Sequence, residues 1–324
     1  MAKTFAKSEV EILEKWPLKV YRSLLDNGFA LAILAAVAAS SKAVLVKLIY
    51  QETALSPVEL LTARLLTAAP IFAILAFWPF KNRTNKVTLE TIDWRIKALV
   101  LWLGFSGYYF ASLTDFIGLT YISAGLERLV LFTYPTIVLL IDAVLNRALP
   151  KKSTVYGVMA CYAGLALAFS HDLKVSGDPV STWKGVGWVA LSGFSFALYY
   201  IGTNKAAYFL GAKRLTGYAG LIATFFTLCH FLMSHNFSAL SQLSAYVWSL
   251  VLIMAIVCTI LPSLMLTVAI QKIGPSAAAN IGALGPVLTI LLAWALLNES
   301  LSLIQMAGLA LVVYGIRAMK KRSE

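Results

Sequence analysis

Charge is scarce in this sequence. Only 13% of its 324 residues are charged, whereas 60% are hydrophobic. A water-soluble domain of this length carries roughly a quarter charged residues. Its apolar residues also fall in blocks of about 20, enough for a helix to cross a bilayer core. A soluble globular fold is therefore excluded. Cysteine is scarce too. Cys161, Cys229 and Cys258 lie in apolar blocks without CxxC spacing, and they read as small buried hydrophobes. The three histidines, His171, His230 and His235, form neither an HExxH motif nor a cluster, so no metal and no other cofactor is expected. The phosphate-binding pattern GxxxxGK followed by Ser or Thr is missing, which excludes a nucleotide motor of that type. GxSxG is missing as well. The LSGFS at 191–195 has no acid and histidine beside it that would make a hydrolase triad. Strict alternation of apolar and polar residues is lacking, which excludes a membrane β-barrel.

What remains is a helical, multi-pass membrane protein, since only helices or closed barrels satisfy backbone polar groups in lipid. Ten spans are expected: 28–50, 57–79, 98–119, 122–146, 153–170, 185–204, 216–234, 247–271, 275–297 and 302–317. The first 27 residues are polar and charged, with no cleavable signal peptide. The net charge of +12 does not point to nucleic acid, because the basic residues sit in short segments between spans. With the N-terminus placed in the cytoplasm, 21 Lys and Arg fall inside and two, Lys174 and Lys184, outside; four more lie within spans. The positive-inside rule then puts both termini in the cytoplasm.

The chain also repeats itself. Residues 122–164 overlie 273–315 at a shift of 151, which pairs Pro135 with Pro286, Gly157 with Gly308 and Gly164 with Gly315. Each half holds five spans, so the second enters the membrane from the opposite side. Such inverted repeats are a common basis for alternating access. The expected organisation is a cytoplasmic tail (1–27), a first five-helix repeat (28–170), an external connection (171–184), a second five-helix repeat (185–317) and a basic cytoplasmic tail (318–324).

Pro286 and the run LLNESLSLIQMAGLALVVYG, with Glu299, Leu301, Ser302, Gln305, Gly308 and Gly315, carry a resemblance. So does SPVELLTARLLTAAP, with Arg64. The chain resembles the EamA-type members of the drug/metabolite transporter superfamily over about 29–170 and 185–317. In the first half Asn146 and Arg147 stand where the second half has the loop glutamate. The resemblance implies ten helices, a central cavity, and export or exchange of small metabolites without ATP.

Charges within a span are costly in lipid and so face a cavity or a partner. At 1.5 Å per residue, Lys42 lies roughly 12 Å below the outer end of its span, Arg64 about 10 Å, Asp115 about 6 Å, and Glu127 and Arg128 about 8 Å. All five occupy the outer half of the first repeat. Lys42 has Asp115 or Glu127 as prospective partners. Adjacent residues on a helix point about 100° apart, so Glu127 and Arg128 cannot satisfy each other fully. Tyr108, Tyr134, Ser195, Tyr199 and Asn280 lie on polar faces, either lining a cavity or bonding between helices. Pro135 and Pro286 are candidate hinges. Gly157, Gly164, Gly308 and Gly315 are candidate sites of close helix packing, within one chain or across a homodimer.

These residues read as a secondary carrier of small metabolites in a bacterial inner membrane. Its partners are a small-molecule solute and membrane lipid, not nucleic acid. Lys42, Arg64 and Arg128 would attract an anionic group, the tyrosines would hold an apolar part, and Glu127 or Asp115 would take a coupling proton. An uncoupled facilitator, a membrane scaffold or sensor, and a membrane-embedded enzyme are the competing classes.

Overall fold

The computed structural model describes residues 27–77, 93–145, 152–176, 178–234, 237–282, 284–297 and 302–320. The N-terminal tail, most of the loop after residue 77, and Glu299 and Leu301 lie outside the described residues. Among the described residues every regular element is a helix. Seven stretches are long and apolar enough to cross a membrane: α1 (Gly28–Glu52), α2 (Pro57–Phe77), α3 (Trp94–Leu119), the pair α4 (Ala124–Leu131) and α5 (Tyr134–Leu145), whose spanning stretch is Ala124–Ile141, α7 (Pro179–Leu210), α8 (Ala212–Ser234) and α9 (Ala245–Ile273). Shorter apolar stretches lie in α6 (Lys152–Ser176), in α11 (Leu284–Leu297), which follows α10 (Pro275–Ile281), and in α12 (Leu303–Lys320).

Side-chain caps fix where several of these helices begin. Asn27 accepts bonds from the backbone N–H groups of Phe29 and Ala30, and Asp178 accepts from those of Val180 and Ser181. Ser123 caps α4 through Leu126, and Ser244 caps α9 through Val247. Such caps satisfy N–H groups that have no partner inside the helix. Asp178 followed by Pro179 starts α7 earlier than its hydrophobicity does. With α6 running to Ser176, the connection expected over 171–184 shrinks to two residues. The exposed Asp178 carboxylate is held below its usual pKa by hydrogen bonds from Ser181, first its hydroxyl and then its backbone N–H. The turn between α9 and α10 passes through Gly274 at φ 80°, a conformation that side chains with a Cβ resist.

Helix starts recur at constant spacing. Gly28 and Pro179, Trp94 and Ala245, Ala124 and Pro275, and Lys152 and Leu303 each lie 151 residues apart. Packing follows the same relation. The first half of α1 lies along the end of α9, as α7 lies along the end of α3. Helix α2 packs on α8, and α6 packs on α12. Both long central helices change winding: α3 is a π-helix over Gly104–Phe110, and α9 over Ile256–Ile260. At the shift of 151, Gly104–Phe110 falls on 255–261. A π turn adds a residue to the helical turn and leaves the regular hydrogen-bond ladder locally open, often at functional sites.

Pro135 and Pro286 do not interrupt continuous helices. Chain 124–145 breaks at Phe132 and Thr133, and Pro135 sits in the first turn of α5. Pro286 likewise sits in the first turn of α11. There the missing proline N–H would lack an intrahelical partner anyway. Gly164 and Gly315 face the opposite helix reciprocally: a Cβ on Gly164 would strike the carbonyl oxygen of Gly308, and one on Gly315 would strike that of Gly157. The thiol of Cys161 points at the carbonyl oxygen of Val312, 151 residues on.

Candidate functional site

The helix interruptions converge on a cavity of about 140 Å³, room for on the order of ten waters. Its wall is assembled from α1, α2, α3 and α9 at and just past their π segments, α4, the start of α5, α7 and α10. One side is bare, because Ala32, Ala35, Ala36 and Ala39 turn the small face of α1 inward. The π segments contribute Gly107 and Tyr108 from one half, and Cys258 and Thr259 from the other. Alanine periodicity and helix winding were not readable as site signals, because either pattern also occurs in plain helix packing.

The lining is also cationic. Lys42, Arg64 and Arg128 line the cavity. Lys42 follows the interruption of α1 at Ser41, and its Nζ lies 2.7 Å from Oδ2 of the fully buried Asp115. This approach is an ion pair whose angles fall outside those of a hydrogen bond. Of the two partners open to Lys42 in the sequence, the structure selects Asp115. Arg64 is buried, with its Cζ 4.9 Å from the centre of the Phe116 ring and its Nε without a partner. Stacking on an aromatic face offsets part of the cost of burying a guanidinium. Arg128 Nε also lacks a hydrogen-bond partner.

Glu127 lies behind the wall rather than in it. It is fully buried, and neither carboxylate oxygen receives a hydrogen bond. Its carboxyl neighbours that of Asp115. Burying polar groups unsatisfied is costly, and the Lys42 ammonium beside Asp115 offsets part of that cost. No cluster of metal-ligating residues occurs among the described residues.

An aromatic belt completes the site. Tyr108 and Tyr199 place their hydroxyls 3.4 Å apart, and Tyr134 and Tyr200 theirs 3.2 Å apart. Phe196 links the two pairs, stacked on Tyr199 and edge-on to Tyr134 and Tyr200. Tyr200 and Phe196 carry no helical polar stripe and were missed in the sequence for that reason. The polar stripe on α7 divides. Tyr199 and Ser192 reach the cavity, but Ser192 also donates to the carbonyl of Ala111. Ser195 is not in the wall; its hydroxyl donates to the carbonyl of Ser106. Ser106 lies in the π segment, and its carbonyl also accepts from the backbone N–H of Ala111. Asn280 lies on α10, and its side chain is outside the described residues.

A bundle of apolar helices around a small cavity with cationic and aromatic lining defines a multi-pass integral membrane protein. The comparisons agree: the chain belongs to the EamA-like transporter family, matching it over residues 26–170 and again over 183–319. It is thereby one of the drug/metabolite transporters. Over 304 residues it is 27% identical to the uncharacterized transporter YcbK of Bacillus subtilis (strain 168), covering 91% of this chain and 93% of that one. A solved crystal structure shares the fold with a TM-score of 0.64 at 18% identity, over 90% of this chain and 95% of that one.

Proposed function

We propose that this membrane transporter is a secondary carrier that exports small organic solutes across the bacterial inner membrane by alternating access, coupled to protons. In this reading ten spans form two inverted five-helix repeats, with both termini in the cytoplasm. The recurrence of helix starts and π segments at 151 residues supports the repeat, and 21 Lys and Arg against two support the orientation. Arg64, Arg128 and Lys42 attract an anionic group of the solute, and Tyr108, Tyr134 and Tyr199 enclose its apolar part. A volume of about 140 Å³ suits a solute of on the order of ten non-hydrogen atoms, amino-acid-like in size. The observation that carries coupling is the unsatisfied Glu127 carboxyl beside Asp115.

The test is flux in proteoliposomes loaded with a broad metabolite extract, followed by mass spectrometry with and without an imposed pH gradient. Wild-type protein is expected to move at least one solute, faster when the gradient opposes solute flow. Glu127→Gln is expected to lose that acceleration and keep gradient-independent exchange. An equal gradient response in wild type and Glu127→Gln rules out this proton site. No gradient response in wild type makes the protein an uncoupled facilitator. A failure to move any solute removes the carrier reading in favour of a scaffold, a sensor or an enzyme.

A further inference from the structure

Two glycines lie at the junction of α10 and α11, Gly282 in the break and Gly285 in the first turn of α11, and each meets the tip of a cavity side chain from the first half. A Cβ on Gly285 would lie 2.7 Å from Arg128 Nη2, 3.2 Å from Nε and 3.3 Å from Cζ. A Cβ on Gly282 would strike the hydroxyl of Tyr134. Neither glycine has a positive φ; among the described glycines only Gly211 and Gly274 do. The backbone therefore does not demand glycine at either place. Gly285 even lies in a helix, where glycine costs about 1 kcal/mol relative to alanine. Space for the neighbouring side chain is the remaining use.

The contact at Gly285 has a counterpart at Tyr134. At the spacing of 151, Arg128 corresponds to Ala279 and Tyr134 to Gly285. The contact of Arg128 with Gly285 thus maps onto that of Ala279 with Tyr134, whose hydroxyl donates to the Ala279 carbonyl over 3.4 Å. At both places the first half supplies the large polar side chain and the second half a small residue.

We infer that Gly282 and Gly285 are positioning residues that seat Tyr134 and Arg128, and that the seated guanidinium makes the cavity selective for a planar carboxylate. This rests on the cavity being the solute site. A guanidinium is a flat fork that grips two carboxylate oxygens side by side, as an ammonium does not. Such a grip needs its members placed within about 0.5 Å. The three nearest atoms to a Cβ on Gly285 belong to the movable end of Arg128. Gly285→Ala therefore displaces the fork and leaves the helices where they are. Phenylacetate and the isosteric neutral phenylacetamide, each of about ten non-hydrogen atoms, fit the cavity size and its aromatic wall.

Calorimetric binding of both probes to purified wild type, Gly285→Ala, Arg128→Lys and the double variant tests the inference. Wild type binds phenylacetate more tightly than phenylacetamide. Gly285→Ala weakens phenylacetate about tenfold and moves phenylacetamide less than about twofold. Arg128→Lys removes the preference for the acid, and adding Gly285→Ala then changes nothing more. Equal weakening of both probes, or additive losses across the cycle, overturns the seating role. A wild type without acid preference overturns the carboxylate class. Should Gly285→Ala fail to fold, retention of the preference in Arg128→Lys overturns the inference by itself. Binding is read without transport, so protein that binds phenylacetate and moves nothing contradicts the carrier reading alone.

Discussion

Asp115→Ala is expected to destabilise the protein by about 3–5 kcal/mol, the usual cost of removing one member of a buried ion pair. Two effects combine. Lys42 Nζ loses the carboxylate 2.7 Å away, while it remains largely enclosed at 16% exposure. Glu127 also loses its neighbouring carboxyl, and both its oxygens still lack donors. Alanine separates these effects from a new hydrogen bond, since an asparagine could donate to Glu127. Lys42→Met in the same chain is expected to restore most of the loss, because removing both charges leaves no unpaired ion. Detergent-solubilised thermal melts of wild type, both single variants and the double variant measure this coupling. Additive losses would mean that the 2.7 Å contact contributes no net stability.

The sequence made the helices legible because lipid imposes a strict rule: a span must be long and apolar. Among the described residues seven of the ten expected spans are long and apolar enough to cross a membrane. Those expected over 153–170, 275–297 and 302–317 are shorter apolar stretches, and 122–146 and 275–297 each break in the middle. Helix α7 was expected to begin at residue 185 because Trp183 and Lys184 dilute the apolar run; Asp178 begins it at Pro179 through capping. Spacing also exposed the repeat, since Pro135 and Pro286 lie at matched positions. Their effect was harder to read. Proline looks alike whether it bends a helix or starts one, and here the break lies just before it. The π segments left no mark at all: GFSGYYF and IVCTI share no pattern, although both widen a helix beside the cavity.

Site residues divide along the same line. Lys42, Arg64 and Arg128 stood out because a charge in an apolar block is rare, and all three line the cavity. Asp115 and Glu127 stood out equally but lie behind that wall. Sequence distinguishes charged from apolar, not first layer from second. Ser195 was indistinguishable from Ser192 by spacing, yet only Ser192 reaches the cavity. Gly282 and Gly285 resembled ordinary membrane-helix glycines. Their role depends on Arg128 and Tyr134, which lie 157 and 148 residues earlier in the chain, and no local pattern records such a contact.

Gly164→Leu is expected to have the second large effect, a loss of about 3 kcal/mol or more, at or beyond the upper end of overpacking costs. Even the first added carbon falls on the carbonyl oxygen of Gly308, with Val312 and Leu311 close behind. A backbone oxygen cannot turn aside as a side-chain tip can, so α6 and α12 must separate. Separation also opens the mirrored contact of Gly315 with Gly157, because one helix pair carries both. Gly164→Leu and Gly315→Leu are therefore expected to be non-additive: once the helices part, the second side chain finds space already made. Gly187→Ala is the control. It lies inside α7 with nothing within 4 Å of a Cβ, so alanine is expected to stabilise by up to about 1 kcal/mol through helix propensity. Melting temperatures of the four variants check the set. A Gly164→Leu protein that melts with wild type would show that α6 and α12 tolerate a wider separation than their glycines permit.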